Sequence, residues 1–169
     1  AARGGASPQG PPAGQAADGA GPSLEALLAA YAANASAPVA DRLAMCRRLA
    51  RAGGEGSVAD ATKCVGLVCG TLPDGSEDEW ARVATSYAHL LSLSVGCPES
   101  HEAGASLSSA LDRVEAWAQQ RGASAAASVP AVADALRQLA RAAFDAGEYG
   151  QSRCWLERCR RLGADSGVG

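Results

Sequence analysis

Very few side chains in this sequence are of the types that carry chemistry. The chain has two histidines, His89 and His101, and six cysteines, at 46, 64, 69, 97, 154 and 159. A catalytic triad or a general-base mechanism needs an imidazole held against a nucleophile, and two histidines leave little material for one. Cys64 with Cys69, and Cys154 with Cys159, are spaced i, i+5. On a helix that spacing turns the thiols away from each other, unlike the i, i+4 spacing suited to a shared metal. No CxxC occurs, and no phosphate-binding GxxxxGK[ST] or GxGxxG. The glycines of ARAGGEGSVAD follow no strand and precede no suitably placed lysine, so they read as a turn between helices. The chemistry predicts no enzyme, no metal and no cofactor, and thiols that are reduced in an intracellular, cytoplasmic protein.

The charged residues suggest recognition instead. Basic charge is carried by fourteen arginines and one lysine, Lys63, within a net charge of −3. An acidic balance argues against a nucleic-acid partner. No apolar run reaches the length of a membrane span, so no membrane is expected either.

The elements that must position these residues are helical throughout. Residues 1 to 22 are rich in Gly, Ala and Pro and poor in large apolar side chains, and read as a disordered tail or linker. Residues 23 to 166 read as one helical domain, and 167 to 169 as a flexible end. Ser23 is placed to cap a first helix with Leu24, Leu27, Leu28 and Tyr31 at helical spacing. A second helix sets Leu43, Cys46, Leu49 and Ala50 on one face and stops at Gly53 and Gly54. A third is expected to be capped by Ser57 and carries Val58, Ala61, Val65 and Val68. Trp80, Val83, Ala84, Tyr87, Leu90 and Leu91 mark a fourth, behind an acidic start that suits the helix dipole. Leu107, Ala110, Leu111, Val114 and Trp117 mark a fifth. A small linker, ASAAASV, precedes Pro130, which opens a sixth with Leu136, Leu139, Ala140 and Ala143. Gly147 breaks that helix, and a last one begins at Tyr149. With no strand-like alternation of useful length, the fold class is all-α, about seven helices paired as antiparallel hairpins.

Three of these pairs are related in pattern. Residues 133 to 166 place Leu136, Leu139 and Ala140 before a turn at Gly147, then Tyr149, Ser152, Leu156 and Cys159. Trp80, Val83, Ala84 and Tyr87 followed by Ala103, Leu107, Ala110 and Leu111 give a second unit. Met45, Cys46, Leu49 and Gly53 followed by Ala61, Val65, Val68 and Pro73 give a weaker third. The set resembles degenerate tetratricopeptide repeats, helix pairs of about 34 residues. Ala143 stands where that family usually has a large aromatic residue, and Ala164 where it has a closing proline.

The resemblance implies a short α-solenoid, with an irregular helical bundle as the alternative. In the last hairpin, Ala140 and Ser152 would let the backbones approach while Tyr149 and Leu156 fill the space between helices. It also implies a concave face, lined by the first helix of each pair, that binds a partner polypeptide. On this register the partner-binding residues are Arg47, Arg51, His89, Arg137, Arg141 and Phe144, with Leu43, Asp78 and Thr85 beside them. The four arginines suit an acidic peptide. The lysine and asparagine set with which some members of the family clamp a C-terminal carboxylate is lacking here. The function expected is therefore a protein-protein interaction scaffold, the alternative being a structural subunit buried permanently in a larger complex.

Overall fold

A computed structural model describes residues 21–54, 56–98, 100–121 and 128–165. The expected tail beyond its last two residues, most of the small linker, and the C-terminal end lie outside the described residues. Seven α-helices follow one another: α1 (Leu24–Ala32), α2 (Val39–Arg51), α3 (Ser57–Cys69), α4 (Glu77–Leu93), α5 (Ser100–Arg121), α6 (Val129–Asp145) and α7 (Tyr149–Asp165). Among the described residues there is no strand.

The helix boundaries follow local chemistry. The Ser23 side chain accepts a hydrogen bond from the Ala26 amide at 3.2 Å, as an N-cap should. Pro130 lies in the first turn of α6, where its missing N–H leaves no helical bond unmade. Gly147 stands at φ +84 and turns the chain from α6 into α7. The start of α3 differs from expectation. Gly56, at φ +77, precedes the helix, and Ser57 sits inside the first turn with its hydroxyl donating to the Ala50 carbonyl at 3.3 Å. Ser57 therefore joins α3 to the end of α2 instead of capping α3.

Sequential helices pair as hairpins, α2 with α3, α4 with α5 and α6 with α7. Between hairpins, α4 packs on α2, α3 and α6, while α5 meets α7 and, more lightly, α3. The core runs through all three pairs and is built from small and branched side chains, including Cys46, Val65, Val83, Leu90, Leu107, Leu111, Leu136 and Leu139, all buried. Such side chains allow close helix approach.

In the last hairpin the small residues meet as the pattern predicts. The buried Ser152 hydroxyl donates to the Ala140 carbonyl at 2.7 Å. Tyr149 and Leu156 do not fill the space between α6 and α7, however. Both are exposed, and Trp155 is the buried aromatic. Along α7 the positions facing the core are Ser152, Trp155, Cys159 and Leu162, at steps of three and four. That stripe leaves Tyr149 and Leu156 on its margin.

Polar clamps fix the pairs to one another. Arg158 of α7 reaches Asp112 at 2.8 Å and Glu115 at 2.7 Å on α5, and Arg161 reaches Glu115 at 3.1 Å. The Arg113 guanidinium lies 4.3 Å from the centre of the Trp80 ring, across the α4/α5 hairpin.

Candidate partner-binding surface

The convergence expected of the first helices occurs between α2 and α4. Arg47 and Arg51, one turn apart on α2, meet His89 of α4 around a recess of about 90 Å³ whose floor and rim include Leu90, Ser92 and Leu93. That volume accepts a single carboxylate-sized group and not a whole ligand. Arg47 is half-buried and uses one of its donors on the buried Ser86 hydroxyl, at 3.0 Å. Its remaining N–H groups are available in the planar fork that suits a carboxylate. Leu93 is exposed beside them, so an apolar surface adjoins the charges.

Electrostatics agree with the geometry. Burial, then Arg51, lowers the Arg47 pKa from its ordinary value. His89 is likewise held below its ordinary 6.5, first by burial and then by the two guanidinium groups. Among the described residues no carboxylate lies within ion-pair distance of Arg47, Arg51 or His89. An entering anion would relieve all three at once.

The other expected residues are elsewhere. Leu43 is fully buried core and faces no groove. Arg137 of α6 pairs with Asp134 at 2.6 Å and points its other terminus at the Cys159 sulfur of α7, at 3.5 Å. Arg141 pairs with Asp145 one turn further along α6, at 3.8 Å. Phe144 packs edge-on against Tyr149, ring centres 5.1 Å apart, at the turn into α7. Arg137 and Phe144 thus belong to the α7 side of the last hairpin. Neither they nor Arg141 lines the recess that holds Arg47, Arg51 and His89.

A second concavity gathers the remaining reactive types. Between α5 and α7, a cleft of about 680 Å³ is lined by His101, Glu148, Cys154 and Arg158 among others, and Cys97 borders an adjoining recess with His101 and Glu148. Among the described residues no hydrogen bond joins either thiol to the imidazole, which is the contact that would activate a nucleophilic cysteine.

The chain matches no protein-family model, no curated protein and no solved structure. Among the described residues no group of three or more His, Cys, Asp or Glu side chains is placed to hold a metal ion, and no helix is long and apolar enough to cross a membrane.

Sequence reasoning missed Arg42. It reads as one of four arginines on α2, yet it is buried and donates to the Ala32 and Ala37 carbonyls at 2.9 and 3.1 Å and to the Thr71 hydroxyl at 2.8 Å. Its register beside the buried Leu43 and Cys46 was the available signal.

Proposed function

We propose that this chain is a non-enzymatic interaction scaffold, a short stack of tetratricopeptide-like hairpins that binds an acidic segment of another polypeptide across its first helices. The observation that carries this reading is the meeting of Arg47, Arg51 and His89 with no carboxylate at hand among the described residues. Two series of contacts support the stacked architecture, α2 with α4 with α6 and α3 with α5 with α7, beside the packing of α3 on α4. Exposed Leu93 adds an apolar contact next to the charges, so an acidic residue followed by an aliphatic one suits the site best.

The test is affinity purification with two charge-reversed proteins, followed by binding of the recovered partner to purified chain. Arg47→Glu with Arg51→Glu is expected to lose partners retained by the native chain, while Arg137→Glu with Arg141→Glu keeps them. Equal partner sets for all three proteins would defeat the reading.

A second reading draws on the last hairpin. Phe144, Tyr149 and Leu156 leave an apolar patch exposed there, as expected of a structural subunit with a permanent neighbour. Under that reading, changing Phe144 and Leu156 to Ser abolishes co-purification, and the arginine reversal does not.

A further inference from the structure

Helix α1 is apolar in sequence yet poorly covered. Of the stripe that helical spacing directs inward, Leu24 is 71% exposed, Leu27 52% and Tyr31 38%. Beneath it opens a cavity of about 590 Å³, walled by Leu24 and Leu28 of α1 and by Leu67 of α3, which is itself 40% exposed. Pockets of roughly 300–1,000 Å³ with mainly apolar walls are of the size that receives a ligand or an anchoring side chain.

The polar groups lining this cavity are of mostly one sign. Glu25, Asp60 and Glu102 come from three separate helices, α1, α3 and α5, against the single ammonium of Lys63. Among the described residues none of these carboxylates lies in an ion pair, with Lys63 or with any other cation. Their field reaches inward: burial raises the Cys64 pKa first, and Asp60 and Glu25 raise it further.

We propose that this cavity is a docking site for an amphipathic helical segment of another polypeptide, one that presents bulky aliphatic side chains flanked by lysine or arginine. Aliphatic groups fill the space between α1 and α3, and the flanking cations meet Glu25, Asp60 and Glu102. A small amphiphile inside the cavity would leave Leu27 and Tyr31 in water, whereas a helix laid along α1 covers them as well. The site shares no lining residue with the arginine recess, although Leu49 of α2 and Tyr87 of α4 also border it.

The probe is a fluorescein-labelled peptide of about four helical turns, with leucines along one face and lysines on the other. Two controls accompany it, one with glutamate replacing lysine and one with serine replacing leucine. The full chain is expected to bind the Leu/Lys peptide saturably, one to one, and to ignore both controls. Leu24→Asp with Leu67→Asp should weaken binding by about tenfold or more, the scale of losing one buried leucine contact. Glu25→Gln with Glu102→Gln changes only exposed side chains, and should weaken binding while leaving the helix content measured by circular dichroism unchanged. Arg47→Glu with Arg51→Glu should leave peptide binding as tight as in the native chain.

Four results would overturn the proposal. They are equal binding of the Ser/Lys control, binding untouched by either variant pair, concentration-dependent self-association abolished by Leu24→Asp, and saturable uptake of decylamine by a chain that ignores the peptide. The third makes a second copy the occupant, and the fourth a small amphiphile.

Discussion

The Arg42 guanidinium donates to the Thr71 hydroxyl at 2.8 Å, and that hydroxyl in turn donates to the Val68 carbonyl at 2.7 Å. The same Arg42 nitrogen also reaches the Ala32 carbonyl at the end of α1. One buried side chain thereby joins the C-terminus of α1, the start of α2 and the turn after α3. Carbonyls at a helix C-terminus carry partial negative charge, so the site suits a cation without a carboxylate.

Arg42→Met keeps much of the volume and removes the donors. The expected cost is about 2–4 kcal/mol in urea denaturation, since bonds from a charged donor are worth more than neutral ones and their acceptors remain buried. Thr71→Val should cost about 1 kcal/mol alone and much less when Arg42 is already Met. Additive effects of the two changes would show that the relay contributes nothing.

The contact between Ser152 and the Ala140 carbonyl makes a steric prediction. Ser152→Ala removes one hydrogen bond from an acceptor that lies within a helix, and should cost about 1 kcal/mol. Ser152→Leu must push α7 away from α6 and should cost about 3 kcal/mol or more. Thermal melts of the two variants check this order; similar melting temperatures would mean that the helices approach for some other reason.

These two contacts bear on what the sequence could reveal. Ala140 and Ser152 are legible because small residues at matched positions of two periodic helices have few other purposes. The inward faces of α4 and α6 are legible for a similar reason: their apolar stripes are wide and continuous. Leu24 and Tyr31 obey the same periodicity, yet stay exposed, because periodicity states which residues share a face and not whether another element covers it. Tyr149 and Leu156 lie one position off the stripe that Trp155 and Cys159 define, so a family pattern misplaced them. Arg47, Arg51 and His89 come together because α2 packs on α4, and that packing brings them to one recess. Register alone groups Arg137, Arg141 and Phe144 with them. The turn at Gly147 and the approach of α7 set Arg137 against Cys159 and Phe144 against Tyr149, both of α7.

The thiols should divide by exposure. Cys97 and Cys154 are exposed, while Cys46 is buried and its pKa is pushed up to about 12, chiefly by burial and then by the neighbouring Cys64. Burial also raises Cys64 and Cys69. Titration of the native chain with a thiol-specific disulfide reagent at neutral pH is expected to modify Cys97 and Cys154 quickly, and Cys46 only on unfolding. Peptide mapping of the fast fraction gives the check, and rapid labelling of Cys46 would mean that α2 separates readily from α3.

His89 makes the folded chain sensitive to pH, with a definite sign. Its pKa lies below 6.5 in the folded chain because burial and the nearby Arg47 and Arg51 disfavour the imidazolium. As pH falls through about 6.5 the unfolded chain therefore takes up the proton first. The stability this group contributes is present above that pH and is lost as pH falls through the folded pKa. Arg47→Gln with Arg51→Gln should move the His89 titration upward, as followed by NMR, and flatten that dependence. The acidic partner proposed above would act in the same direction by bringing negative charge to the recess, so its binding should take up a proton and tighten between pH 8 and pH 6. His89→Gln should remove the change in affinity while leaving binding at pH 8 nearly as it was. A partner whose affinity stayed flat across that range in the native chain would have to bind somewhere other than the recess between α2 and α4.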